Sequence, residues 1–309
     1  MYKKYIKLVL KIAISSIFLF WVVFKVDWAS VINSIKSVSI FYLAIYVMIV
    51  LLGMVISSYK WQILADFKEI KLKFSNFFKF YLAGTFINNF MPSFIGGDTF
   101  KAYKIGKPQG RYIEAASSVA MDRITGLVGA TVLALLFSLL NIKKIADSPI
   151  LLIVNLIIFL SLLLDIFIAW IRKKSFWFRF KKYFPDKFAA FVIDLGTYNN
   201  NSNILSRAIT WSLFFNLIGV ALSNYILFMA FGINISLINY LSVIFLVSIV
   251  SSIPISINNI GIKEWAYITF FGVFGLSASP VVAVAIVSRF IQMLISFFAL
   301  PVYLRREKK

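Results

Sequence analysis

Two arginines lie deep inside long apolar segments of this sequence. Arg123 falls in the run 113–140, and Arg289 falls in the run 280–304. An unpaired charge within a membrane span costs at least ~2.5 kcal/mol on insertion scales, so each arginine requires a partner. A guanidinium binds a phosphate or a carboxylate through two parallel hydrogen bonds, which is the chemistry that holding a lipid headgroup would need.

Three acidic residues are candidate partners for these arginines. Asp122 directly precedes Arg123, but successive side chains on a helix point about 100° apart, so Asp98 is an equally credible partner. Glu264 is the candidate for Arg289. Each pair could be a structural ion pair alone, or the carboxylate could orient its arginine toward a headgroup phosphate.

Proline, asparagine and glycine interrupt two further apolar segments, 76–107 and 237–275. Irregular backbone at membrane depth is tolerated only where protein or a water-filled cavity satisfies its polar groups. The pattern predicts two re-entrant hairpins, and two ordinary spans with unusual ends are the alternative. Because proline interrupts a helix and glycine permits positive φ, the hairpin-shaping residues are Pro92, Gly96, Gly97, Pro254 and Gly261.

The hairpins also carry polar side chains that could hold a ligand. Asp98 follows two glycines at the start of a helical stretch, where free backbone N–H groups bind anions, and Lys101 adds a charge one turn later. The alternative is a simple helix N-cap with Lys101 on a solvated face. Asparagine pairs beside both breaks could repair exposed backbone or bind sugar and glycerol hydroxyls. The predicted substrate-binding residues are Asn88, Asn89, Asp98, Lys101, Asp122, Arg123, Asn258, Asn259, Glu264 and Arg289.

The composition indicates that these residues are positioned by membrane helices. Of 309 residues, 61% are hydrophobic and 14% are charged, whereas soluble domains have about 45–50% apolar and about 25% charged residues. We predict an all-α polytopic membrane protein, one domain over 1–309, with the two hairpins and six full spans. The spans are 8–24, 39–57, 113–140, 149–171, 207–231 and 280–304.

Absent residue types exclude much catalytic chemistry. The chain has no Cys and no His, which removes disulfides, thiolate metal sites and imidazole bases. It also has no GxxxxGK[ST] phosphate-binding loop. We therefore expect no enzymatic activity, no catalytic residues, no metal and no cofactor.

The positive charges predict the orientation. Lysine and arginine in short loops concentrate on the cytoplasmic side, and the densest cluster lies at 172–187. With the termini and a basic loop 172–204 in the cytoplasm, the first hairpin enters from inside and the second from outside. The net charge of +20 then marks contact with anionic lipid headgroups of the cell membrane, not with nucleic acid.

Both halves of the chain show the same order of features. Segments 39–140 and 207–304 each read as a span, a broken hairpin with an acidic residue, and an arginine-bearing span. Since the first spans of the two segments run in opposite directions, we predict inverted repeats, an architecture found in transporters.

Tyr59, Trp61 and Trp211 fall at predicted span ends and are typical of an interfacial aromatic belt. Residues 186–203 predict an amphipathic surface helix followed by a linker.

In these residues the chain resembles the flippase-like integral membrane family related to the transmembrane region of lysylphosphatidylglycerol synthase. The resemblance spans nearly the whole chain, and Asn258-Asn259 stand where the family usually has two glycines. Several lysines, such as Lys60, stand where the family usually has arginine. The motifs that carry it are Ser58-Tyr59-Lys60-Trp61, Asn89-Phe90-Met91-Pro92, Gly96-Gly97-Asp98 with Lys101, Met121-Asp122-Arg123, Trp211, Ile253-Pro254, Ile260-Gly261-Ile262-Lys263-Glu264 and Ser288-Arg289-Phe290.

The resemblance implies movement of a polar-headed lipid between leaflets, such as an aminoacylated phosphatidylglycerol or a polyprenyl-phosphate sugar. The chain has no soluble aminoacyl-transferase domain, so it is not expected to make lysyl-lipid itself. Two other functions remain open. One is a membrane-embedded transferase using Asp98 or Asp122, and the other is a noncatalytic partner that recruits a lipid-modifying enzyme through the basic loop. The oligomeric state is left open.

Overall fold

The computed structural model describes residues 2–90, 95–172, 185–253 and 255–301, and every regular element within them is helical. Short 3₁₀ turns occur at Lys107–Gln109, Thr197–Asn200 and Ile257–Asn259, and a π-helix occurs at Phe215–Leu222. The helices are α1 (Tyr2–Lys25), α2 (Trp28–Lys36), α3 (Ile40–Phe67), α4 (Phe74–Phe90), α5 (Ile95–Gly106), α6 (Tyr112–Leu140), α7 (Ile142–Ala146), α8 (Pro149–Arg172), α9 (Asp186–Gly196), α10 (Ser202–Phe214), α11 (Ser223–Ala230), α12 (Leu237–Ser252), α13 (Ile262–Gly272) and α14 (Ala278–Phe297).

Within the described ranges, four helices are long and apolar enough to cross a membrane: α3, α6, the continuous helix Ser202–Ala230 and α14. The number is five if α1 and α2, which meet at 82°, form one span. The prediction of an all-helical membrane protein is therefore confirmed, whereas the prediction of six full spans and two re-entrant hairpins stays a prediction. The bend between α1 and α2 has a local cause, because Asp27 caps α2 by accepting from the Ala29 N–H at 3.0 Å.

The two broken segments each fold as two helices that pack against each other. In the first, α4 and α5 pair and α5 lies on α6; in the second, α12 and α13 pair and α13 lies on α14. The helix pairs also cross between halves, since α4 contacts α14 and α12 contacts α6. Pro92 and Pro254 lie outside the described residues.

Glycines permit the closest approaches in this packing. A Cβ at Gly97 would lie 2.1 Å from the carbonyl oxygen of Gly84, so α4 and α5 can be this close only without one. Gly261 has φ of +85°, and a Cβ there would meet Phe18 of α1 at 2.7 Å. These contacts give a physical reason for the prediction that Gly97 and Gly261 shape the backbone.

The prediction that Trp61 belongs to an interfacial aromatic belt is wrong. The helix α3 continues to Phe67, so Trp61 lies inside it, is fully buried, and donates to the Ser118 hydroxyl at 3.3 Å. The predicted helix after residue 185 is present as α9, and it packs on α6. The preceding basic cluster lies mostly outside the described residues.

Candidate functional site

A polar cavity of about 250 Å³ lies between the two helix breaks. At about 30 Å³ per water molecule, it would hold on the order of eight waters. Its walls come from α4, α5 and α6 of the first half and from the 257–259 turn, α13 and α14 of the second. The lining residues are Tyr81, Gly84, Thr85, Asn88, Asn89, Asp98, Lys101, Arg123, Asn258, Asn259, Lys263, Arg289 and Gln292.

Arg123 on α6 pairs with Asp98 in the first turn of α5. The Nε and Nη2 atoms of the guanidinium donate to the two carboxylate oxygens at 2.9 Å each. Of the two candidate partners, Asp98 is therefore the one that binds Arg123. The arginine side chain remains 53% exposed, so part of the guanidinium faces the cavity opening.

Asp122, behind the cavity wall, forms ion pairs with two lysines instead of with Arg123. Its Oδ1 lies 3.0 Å from the ammonium of Lys60, which also donates to the Asp122 carbonyl at 2.7 Å and to the Ser212 hydroxyl at 3.2 Å. Its Oδ2 lies 3.7 Å from the ammonium of Lys101, and Asp98 lies 3.3 Å from the same ammonium. Two carboxylates thus face three cations, since Arg123 joins the two lysines.

Lys101 is buried, which corrects the alternative that it lies on a solvated face. Its side chain is 3% exposed, and its ammonium lies 5.0 Å from the Trp61 ring centre and 5.1 Å from that of Tyr81. Cation–π attraction therefore adds to the two carboxylates in holding the charge at the cavity wall.

Arg289 on α14 holds the second break together. Its guanidinium donates to the Glu264 carboxylate at 2.9 Å and to the carbonyl oxygens of Asn258 and Asn259 at 2.7 and 3.2 Å. Glu264 in turn accepts from the Gly261 N–H at 2.8 Å, so its carboxylate satisfies a free backbone donor at the start of α13. The predicted Arg289–Glu264 pair is present, and it also fixes the backbone of the turn.

The asparagine pairs play different parts at the two breaks. Asn88 accepts from the Gly97 N–H at 2.8 Å, which repairs the backbone of the first break, whereas Asn89 donates to the Ser296 hydroxyl at 2.7 Å. Asn258 and Asn259 adopt φ of 47° and 56°. Asparagine tolerates this left-handed region better than most other residues with a Cβ.

Eight of the ten predicted substrate-binding residues line the cavity, while Asp122 and Glu264 lie behind it and hold lining cations. Sequence reasoning missed Tyr81, Gly84, Thr85, Lys263 and Gln292 as lining residues. A signal was present for most of them. Positions 81, 84, 85 and 88 recur at helical spacing on one face of α4, and Gln292 lies one turn after Arg289 in an otherwise apolar helix.

The fold and this cavity define an integral membrane protein with a buried charged site between two discontinuous helix pairs. The chain belongs to the family of the lysylphosphatidylglycerol synthase TM region, whose model matches residues 8–299. This match confirms the family indicated by the sequence motifs. Comparison with curated proteins and with solved structures returned no match.

Proposed function

We propose that this protein is a lipid flippase that moves a polar-headed lipid between membrane leaflets. The observation that carries the proposal is the cavity between the two breaks. At and behind its wall, four cations are paired with three carboxylates, and a fifth cation, Lys263, binds a hydroxyl. Membership of a family named for the transmembrane region of a lipid synthase supports a role with membrane lipids. A headgroup that enters a bilayer loses its hydration, and charged side chains and amides at the cavity wall replace those contacts.

The proposal includes an inverted-repeat topology, in which the two halves of the chain lie in opposite orientations in the membrane. This topology would give the lipid headgroup a path between the two hairpins. Each half, 39–140 and 207–304, contributes an acidic residue on its hairpin and an arginine on the following span. The crossed contacts of α4 with α14 and of α12 with α6 are those that a two-fold relation between halves would produce. With both termini and the 172–204 loop in the cytoplasm of a cell membrane, one hairpin faces each leaflet. Alternating movement of the hairpins would admit the headgroup from one side at a time.

The proposed substrate-binding groups are the lining residues, and Asp122 and Glu264 orient them. Arg123 is the foremost candidate contact because its guanidinium is exposed to the cavity while Asp98 fixes its direction. In this scheme the protein acts without chemical conversion of the lipid, and it requires neither metal nor cofactor. A lipid-modifying enzyme would act before or after it on the same lipid.

The test is headgroup accessibility in sealed vesicles. Tail-labelled fluorescent lipids are incorporated with the purified protein, and a membrane-impermeant reductant bleaches only the outer leaflet. With wild-type protein, the reductant should also bleach the fluorescence of lipids that started in the inner leaflet, because the protein moves them outward. With Arg123→Ala, bleaching should stop at the outer-leaflet lipids. Arg207→Ala, at an exposed arginine of α10 that does not line the cavity, is the matched control and should flip lipid normally.

The outcomes separate the rival functions. No movement across anionic, glycosylated and aminoacylated lipids, with reconstitution verified, would overturn the flippase proposal. Conversion of a lipid-linked sugar that chelation abolishes would instead indicate the membrane-embedded transferase.

A further inference from the structure

Lys263 differs from every other cation at the cavity. Lys60, Lys101, Arg123 and Arg289 each lie within 4 Å of a carboxylate oxygen. Among the residues that the structure describes, Lys263 has no such partner. Its ammonium donates to the Ser288 hydroxyl at 2.6 Å and lies 5.8 Å from the Tyr267 ring centre.

This arrangement leaves hydrogen-bonding capacity at the cavity wall. An ammonium has three N–H donors, and Ser288 accepts from one of them. A charge in a partly enclosed site is costly unless it is paired, and the carboxylate of the next residue, Glu264, is engaged by Arg289 and by the Gly261 N–H. The missing counter-ion can therefore come from a ligand in the cavity.

The first half of the cavity has the same imbalance. Lys101 shares Asp98 with Arg123 and shares Asp122 with Lys60, so three cations divide two carboxylates. Each wall thus carries one positive charge more than its carboxylates neutralise. A net-anionic headgroup would complete the pairing, whereas a headgroup with its own excess positive charge would meet repulsion from both walls.

We propose that Lys263 is the specificity-determining residue of this cavity and that it selects headgroups with net negative charge around a phosphate. Zwitterionic headgroups bind less well, and aminoacylated cationic headgroups are rejected. The inference rests on the proposed function and narrows its substrate class from polar-headed lipids to net-anionic ones.

The test compares three phospholipids that share the phosphate but differ in charge: phosphatidylglycerol, phosphatidylcholine and lysyl-phosphatidylglycerol. In the vesicle assay, wild type should move phosphatidylglycerol fastest. Lys263→Gln should lower that rate about tenfold and lower the phosphatidylcholine rate much less, because the lost charge-assisted contact matters most for a headgroup with net negative charge. Lys263→Arg should keep the preference for phosphatidylglycerol. Lys143→Gln removes an exposed lysine on α7 and should match wild type.

A binding measurement separates this inference from the proposed function. Short-chain phosphatidylglycerol should raise the Tm of the detergent-solubilised wild type more than short-chain phosphatidylcholine does, and Lys263→Gln should abolish the difference. If this holds without lipid movement, the flippase proposal fails and the charge selection stands. If lipid moves without charge preference, or if folded Lys263→Gln keeps the preference, Lys263 is not the selecting residue.

Discussion

Arg123 on α6 and Arg289 on α14 each follow a broken helix pair, yet their surroundings differ. Both form an ion pair of 2.9 Å with an acidic residue on the preceding helix. The Arg123 side chain is 53% exposed, and Asp98 is its only hydrogen-bond partner among the residues that the structure describes. The Arg289 side chain is 20% exposed and binds two backbone carbonyls in addition to Glu264. The same residue pair is thus open toward a ligand in one half and serves as a clamp on the backbone in the other.

The carboxylates and lysines follow the same contrast. In the first half, each of the two lysines and the arginine lies within 4 Å of at least one of the carboxylates of Asp98 and Asp122. In the second half, Arg289 occupies the single carboxylate and leaves Lys263 with a hydroxyl. A repeated ion pair therefore does not imply a repeated role.

The largest expected effect is loss of stability in Arg289→Gln. The change leaves Glu264 buried without its cation and removes the donors to the 258 and 259 carbonyls, and breaking a buried pair costs about 3–5 kcal/mol. Thermal unfolding in detergent should show a markedly lower Tm. Arg289→Lys should fall between this variant and wild type, because it keeps the charge and loses the planar fork. If Arg289→Gln had the Tm of wild type, the contacts of Arg289 with Glu264 and with the 258 and 259 carbonyls would not stabilise the fold.

Gly97→Ala tests the first break, where close packing replaces the arginine clamp. The new Cβ would overlap the backbone of Gly84, so α4 and α5 must separate, at a cost of about 1–3 kcal/mol. The measurement is again the Tm. Gly272→Ala is the control, since a Cβ there meets nothing within 4 Å and should leave stability unchanged or slightly increased.

Arg123→Gln should separate function from stability. Because the side chain is more than half exposed, its ion pair contributes about 1 kcal/mol or less to folding, and the Tm should change little. Lipid movement should nevertheless be lost. If Arg123→Gln instead unfolds as readily as Arg289→Gln, the two arginines play the same structural part and the comparison fails.

The smallest effect is expected at the left-handed turn of the second break. Asn259→Gly should alter stability by about 0.5 kcal/mol or less, because glycine adopts φ of 56° without strain. Asn259→Ala should destabilise by about 1–2 kcal/mol, since alanine has a Cβ and no side-chain amide to offset it. Chemical denaturation of both variants is the check. If Asn259→Gly and Asn259→Ala were equally stable, the positive φ at residue 259 would not affect the free energy of unfolding.

The sequence predicted most of the site because the signals were local. A charge or an amide within an apolar run has few explanations, and proline or glycine beside it marks a broken helix. On that basis eight residues that line the cavity were identified before their positions were known. Tyr81 was missed because it is an ordinary residue within a membrane helix, and only its helical spacing from Asn88 indicates that it faces the cavity.

The amino-acid sequence by itself determined that this is an all-helical membrane protein of its family, that two helices break, and that ionisable residues lie at the breaks. Only the tertiary structure decided that Arg123 binds Asp98 instead of its neighbour Asp122, that Lys101 and Trp61 are buried, and that Lys263 has no carboxylate among the described residues. The physical reason is distance along the chain. Composition and periodicity act within a helix, whereas a counter-ion is supplied by another helix, and its identity depends on how the helices pack.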